Sequence, residues 1–205
     1  AIYLDNAATT ALDEEVIQEM LKYMREDYGN PSSTHSFGRK TRAAIDLGRR
    51  KVAKHINAEP GEIVFTSGGT EADNMAILCS VEDLGVKHII TSAIEHHAVL
   101  YPVEVLAKSG KIRMSLVDLD EKGHVKLDHL EELLQTEEKT LVTLLHANNE
   151  IGNLLPLKEV GDLCKKYNAL LHADTVQTIA HYKLDVKELG VHFMTCAAHK
   201  FHGPK

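Results

Sequence analysis

Cysteine is scarce: Cys79, Cys164 and Cys196 are three residues in 205, odd in number and widely spaced. They make neither a disulfide framework nor a zinc knuckle, so a reducing, cytoplasmic compartment is expected. Long apolar runs are missing too, and no segment is predicted to cross a membrane. The opening Ala1-Ile2-Tyr3-Leu4-Asp5 lacks the basic and apolar regions of a signal peptide. Positive charge is in the minority, with 23 Lys and Arg against 30 Asp and Glu and a net charge of −7. That balance argues against a nucleic-acid surface. The basic cluster of Arg39, Lys40, Arg42, Arg49, Arg50, Lys51 and Lys54 has no aromatics interleaved and reads as a solvated helix face.

Apolar residues and histidine are plentiful. A hydrophobic share of 43% suffices for a sizeable core. Thirteen histidines raise the question of metal. His96 and His97 are adjacent, however, and His192, His199 and His202 match no ligand spacing, so no metal site is expected.

The hydrophobic pattern gives the architecture. Asp13 can cap a helix running to about Asp27, with Val16, Ile17, Met20, Leu21 and Met24 as its apolar face. Turn chemistry over residues 28–33 stops it. A second helix is predicted over residues 36–56, where Phe37, Ala44, Leu47 and Val52 suggest a buried stripe. Strands and helices then alternate. Strands are predicted at 63–66, 88–91, 112–117, 140–145, 169–173 and 191–198. Helices are predicted at 70–78, 96–107, 127–134 and 157–167, with a short helical turn at 186–189. Near-continuous apolar strands in such an alternation predict an α/β fold with a mostly parallel sheet. Ligands of these sheets sit at the carboxyl ends of the strands.

Five stretches fall at such ends. Ser67-Gly68-Gly69-Thr70-Glu71 opens a helix, where glycines admit an anion, free amides donate and Thr70 adds a hydroxyl. A phosphate fits there as well as a capped turn does. In Ile94-Glu95-His96-His97, the His96 imidazole suits stacking on an aromatic ligand, carrying a proton, or simply starting a helix. His146-Ala147-Asn148-Asn149-Glu150 offers two amides, as turn formers or as orienting groups. His172-Ala173-Asp174-Thr175-Val176-Gln177 ends an apolar strand in an acid whose charge needs a partner. A protonated pyridine nitrogen is one partner and a helix start another, and Gln177 can reach the opposite edge of the same ring. Finally, Ala197-Ala198-His199-Lys200 places a lysine at the mouth of a strand, where desolvation favours the neutral amine that attacks aldehydes. One ligand answers to all five. It is phosphorylated and aromatic, with a basic ring nitrogen and an aldehyde, which describes pyridoxal phosphate.

These motifs are joined by Tyr3-Leu4-Asp5-Asn6-Ala7-Ala8-Thr9-Thr10, by Gly29-Asn30-Pro31-Ser32-Ser33 with His35 and Gly38, by Asn148-Asn149-Glu150-Ile151-Gly152, and by His199-Lys200-Phe201-His202-Gly203-Pro204-Lys205. In that order the chain resembles the NifS/IscS-type cysteine desulfurases, of the class V aminotransferase group within the fold-type I pyridoxal-phosphate enzymes. The resemblance implies a three-layer α/β/α fold. Residues 1–205 would be the N-terminal segment plus most of the cofactor-binding large domain, with a C-terminal small domain outside this chain. It implies Lys200 as the imine-forming lysine, Asp174 on the pyridinium nitrogen, and His96 stacked on the ring and assisting proton transfers. Gln177 and Asn149 would face the ring hydroxyl and substrate, Gly69, Thr70 and His199 would hold the phosphate, and Asn6 would lie near the substrate entrance.

The implied reaction converts L-cysteine to L-alanine, passing sulfur as a persulfide toward iron–sulfur clusters or thiolated cofactors. The implied partners are a second copy in a homodimer and a sulfur-acceptor or iron–sulfur scaffold protein. Two departures stand out. Ala197 occupies a place where many relatives have a phosphate-binding serine. The chain also ends five residues after Lys200, before the family's sulfur-accepting cysteine and substrate-gripping arginine, so these residues alone are expected to be inactive in sulfur transfer. A selenocysteine lyase or another class V enzyme would share the scaffold. A non-catalytic dimerisation or partner-binding module would keep the fold and bind no cofactor.

Overall fold

The computed structural model describes residues 1–205, which fall into two compact units. The first comprises Ala1–Phe65, Lys183–Asp185 and Ala198–Lys205; the second comprises Thr66–Tyr182 and Val186–Ala197.

The first unit is helical. Asp13 accepts the Glu15 N–H at 2.8 Å and starts α1 (Glu14–Glu26), whose first turn carries Glu14 and Glu15 where the helix dipole favours acids. His35 caps α2 (Ser36–Ile56), which ends at Asn57 in the left-handed conformation. The turn before α2 is tight, since a Cβ on Gly38 would lie 2.3 Å from the Ser33 carbonyl oxygen. The buried stripe expected on α2 is not found. Phe37, Leu47 and Val52 are 55%, 50% and 38% exposed, and within the helix only Gly38 and Ala53 are buried. Met24 of α1 is exposed as well. Two helices and their loops are too little chain to cover an apolar face of that length. The strand expected at 63–66 is also absent. A 3₁₀ turn at Pro60–Glu62 leads into irregular chain in which Val64 and Phe65 are exposed. β-prone residues form a strand only where a ladder partner lies beside them.

The second unit is a three-layer α/β/α sandwich. It contains α3 (Gly69–Glu82), β1 (His88–Thr91), α4 (His97–Lys108), β2 (Arg113–Leu116), α5 (Leu127–Leu134), β3 (Thr140–Leu145), α6 (Leu157–Lys166), β4 (Leu170–Asp174), α7 (Val186–Leu189) and β5 (Phe193–Thr195). The sheet order is β2-β1-β3-β4-β5, and every pairing is parallel. Strand alternation splits the core in two. Ile90, Val142, Leu144, Leu171 and Ala173 pack on α5 and α6, while Ile89 and Leu141 pack on α3 and α4. The run expected at 191–198 shortens to β5, because an edge strand has one neighbour and Phe193 and Met194 are only half-buried.

Chain order reverses at β1, which lies between β2 and β3. Pairing of β1 with β3 ends at Ile90↔Val142, whereas β1 continues beside β2 to Thr91↔Leu116. The two central strands therefore part at their carboxyl ends, which is where α/β sheets open a crevice.

Helix α4 contains Pro102, which cannot donate to the carbonyl of Ala98 four residues earlier. The structure supplies another donor: Asn74 of α3 gives its Nδ2 to Ala98 O at 3.0 Å, and to Thr70 O at 2.8 Å. A side-chain amide thus replaces the missing helical hydrogen bond and ties α3 to α4. Removing it in Asn74→Ala leaves a buried carbonyl unsatisfied, with an expected loss of about 1–3 kcal/mol in urea unfolding. Pro102→Ala restores a backbone donor, and in that background the cost of Asn74→Ala should fall to less than half. Equal costs in both backgrounds would refute the exchange.

Candidate active site

In the second unit, β4 ends in Asp174, a carboxylate only 3% exposed. Its Oδ1 accepts the Val176 N–H at 3.0 Å, so it braces a turn and caps no helix. Against this turn lies the start of α3: a Cβ built on Gly69 would come 3.2 Å from Val176 Cγ2 and 3.6 Å from the Ala197 Cβ. No side chain caps α3, leaving the first N–H groups of a 14-residue helix without a side-chain acceptor. Thr70 stands exposed in that first turn, and Glu71 bends back to the Ser67 N–H, which holds its carboxyl below the usual range. Gly69 is thus packed against the turn that follows Asp174, and the loop that carries it and Thr70 follows no strand. Gln177 is half-buried on the same turn.

His172 lies two residues before Asp174, on the same face of the sheet. Its ring is fully buried, with Nδ1 2.8 Å from Thr143 Oγ1 and Nε2 3.0 Å from Thr195 Oγ1. Asp73 of α3 places Oδ1 3.4 Å from the same Nε2. This buried acid was not singled out from the sequence, where a carboxylate inside a helix looks like any solvated one.

At the ends of β1 and β3, His96 caps α4 by accepting the Ala98 N–H at Nδ1, 3.1 Å away. Asn148 is the buried amide of the pair that follows β3; it donates to Ile94 O at 2.7 Å and accepts from the N–H groups of Glu150 and Ile151. Asn149 instead donates to Glu150 Oε1, and no hydrogen bond joins it to Asp174 or His96. Glu95 is buried with both oxygens engaged: Ser92 Oγ donates to Oε1 at 2.5 Å and Leu145 N donates to Oε2 at 2.6 Å. Desolvation pushes its carboxyl up to about 8, with the Asp174 and Asp73 charges acting in the same direction.

The first unit holds the other two expected residues on a 3₁₀ turn at Ala198–Lys200. The carbonyl of His199 accepts from Thr10 N at 2.8 Å and from Thr10 Oγ1 at 2.9 Å, while its Nδ1 lies 3.2 Å from Thr9 Oγ1. Burial lowers the His199 pKa, and the Lys200 and Lys205 charges lower it further, so the ring is neutral at neutral pH. Lys200, half-buried, donates from Nζ to the carbonyl of Ala7.

In the second unit the donors fit two parts of pyridoxal phosphate, an uncapped helix start for a phosphate and a buried carboxylate for a protonated ring nitrogen; the first unit carries a lysine amine of the kind that takes an aldehyde. The cysteines are unsuited to nucleophilic work. Burial pushes the Cys164 thiol up to about 12, and Cys79 and Cys196 are also raised by desolvation, with Asp83 and Asp174 respectively adding to it.

Residues 2–205 match the family described as Aminotransferase class-V. Cysteine desulfurase IscS of Clostridium botulinum is 45% identical over 206 residues, covering all of this chain and 51% of its own. Its counterpart in Dictyoglomus turgidum is 47% identical, over 52% of its length. The chain thus spans about half the length of the curated relatives it matches. A solved NifS-like protein superposes on the whole chain with a TM-score of 0.95 at 40% identity, across 56% of its own chain.

Glu95 sets a test of the site's electrostatics. Its folded pKa, about 8, lies above the ordinary 4.5, so the folded state holds the proton more tightly than the unfolded one. Its contribution to stability is complete below about pH 4.5 and is lost as pH rises to about 8. Between pH 5.5 and 8.5 the wild type should lose roughly 3 kcal/mol relative to Glu95→Gln in urea unfolding. Parallel pH profiles of the two proteins would mean that Glu95 is ionised throughout.

Proposed function

The chain belongs to the aminotransferase class-V family, and from that premise we propose that it is the cofactor-binding part of a pyridoxal-phosphate-dependent cysteine desulfurase that acts on L-cysteine. The observation that carries this reading is the buried Asp174 carboxylate, with the uncapped start of α3 packed against its turn. On this reading residues 1–205 are the N-terminal segment and most of the large domain.

When bound, pyridoxal phosphate supplies an aldehyde for amines and a ring that draws electrons from the neighbouring bonds. The chain's own residues do the rest. Gly69 and Thr70 would donate to the phosphate, and neutral His199 would offer a ring N–H rather than a charge. Asp174 would hold the proton on the ring nitrogen. Gln177 and Asn149 would orient the ring hydroxyl and the substrate, and His96 would supply a flat ring beside it. Lys200 would supply the amine for the aldehyde and would hold the α-proton of the substrate. The sulfur of cysteine would pass to a thiol and leave alanine, and that thiol is none of Cys79, Cys164 and Cys196, whose raised pKa values keep them protonated.

We also propose a homodimer. Tyr101 and Val105 of α4, 60% and 64% exposed, stand one turn apart, and Met75 and Leu78 of the adjoining α3 are exposed as well. Such a patch suits a second copy. The persulfide would pass to a sulfur-acceptor or iron–sulfur scaffold protein.

Incubation with pyridoxal phosphate, borohydride reduction and peptide mapping should place the label on Lys200, and Lys200→Ala should abolish it. A label on another lysine would sink the assignment. Ala197→Ser adds a hydroxyl where Ala197 faces the start of α3, and should tighten pyridoxal-phosphate binding by about tenfold, the worth of one hydrogen bond to a charged group. Unchanged affinity would show that position 197 does not meet the phosphate.

A further inference from the structure

The parting of β1 and β3 creates a local problem that one side chain solves. Successive N–H groups of a strand point to opposite neighbours. His146 N donates to Asp174 O on the β4 side, so Leu145 N points toward β1. There the ladder has already ended, at Ile90↔Val142. Leu145 is buried, and an N–H without an acceptor at that depth is costly. Glu95 provides the acceptor through Oε2 at 2.6 Å, while Ser92 holds Oε1 at 2.5 Å. Asn148 adds a second stitch from the loop after β3 to Ile94 O. Residues 92–95 are therefore pinned to the end of β3 immediately before His96.

His96 is fixed from the other side by α4. Its carbonyl accepts from Val99 and Leu100, and its Nδ1 accepts from Ala98 N. A ring nitrogen that accepts an N–H cannot carry a proton, so the neutral ring has its proton on Nε2. Nε2 makes no hydrogen bond within the chain.

We propose that Glu95 is a positioning residue: it substitutes for the missing ladder acceptor at the β1–β3 parting, and thereby holds His96 in the Nε2–H tautomer as a fixed hydrogen-bond donor. In that tautomer Nδ1 is occupied by the Ala98 N–H, and His96 supplies a flat ring and an Nε2–H donor. Proton removal from the substrate belongs to Lys200. The consequence for substrate rests on the function proposed above, whereas the clamp and the tautomer do not. A buried carboxyl held neutral agrees with this role, since a Gln amide could accept from Leu145 and donate to Ser92 in its place.

The test is ring-nitrogen NMR on the protein labelled with 15N-histidine, without cofactor, together with amide hydrogen exchange at Ala98. Wild type and Glu95→Gln should both show His96 as a single Nε2–H tautomer. Glu95→Ala should give a mixture of tautomers, with Ala98 exchange faster by about two- to thirtyfold, the usual worth of an N-cap. An Nδ1–H or averaged ring in the wild type would overturn the proposal, and so would an unchanged spectrum in Glu95→Ala. Should Glu95→Ala fail to fold, Glu95→Asp is one methylene too short to reach both partners, and a wild-type pattern there overturns the clamp equally. Failure of Lys200 to take up pyridoxal phosphate would sink the functional reading and leave these spectra unchanged.

Discussion

A strand that leaves its neighbour must find new partners for its backbone, and in this protein that requirement falls at the centre of the sheet. β1 follows β2 while β3 follows β4, and the N–H of Leu145 is stranded in the gap. A carboxyl from the loop after β1 fills it. The same carboxyl fixes where α4 begins, and so where His96 stands. An acid is an awkward choice for such a buried place, because two further acids, Asp73 and Asp174, lie near enough to raise its pKa. Holding a proton resolves the crowding. One neutral carboxyl does the structural work without adding a third charge beside Asp73 and Asp174.

Ala98 shows the same economy on a smaller scale. Both of its backbone groups are served by side chains, the N–H by His96 and the carbonyl by Asn74. The second service is required by Pro102, which removes the donor a regular helix would offer. The first turn of α4 is therefore set by tertiary partners more than by helix propensity. A ring placed there is as rigid as the sheet behind it.

Much of this was readable before any coordinates. Periodicity and turn signals located α2, α5, α7, β1 and β3 with the observed bounds, because each is set off by clear stops. The Gly69-Thr70, His96, Asp174 and Lys200 stretches stood out only in combination, because each residue type alone is as common in turns and helix caps as in binding sites. The sequence misled where the outcome depended on something distant. The segment at 63–66 has strand composition and no strand beside it, and the apolar stripe of α2 has no partner within its unit. Asp73 and Asn74 escaped notice and Glu95 was seen without its role, because those roles come from burial, a proline 28 residues beyond Asn74, and strand register respectively. No local pattern contains those facts.

The bonds from Thr10 to the His199 carbonyl and from Asp13 N to His202 O join residues about 190 positions apart. On the ribosome the first of these partners is made long before the second, and α/β layers between them can assemble while the N-terminal arm still lacks its anchor. The arm can dock only once the turn bearing Lys200 has emerged. Closing a loop of that length costs chain entropy before its contacts reward it, which places maturation of the lysine's surroundings after the local contacts of the sheet and its helices. A nascent chain released early would carry a folded sheet with a loose N-terminus, the kind of intermediate that chaperones and proteases sort.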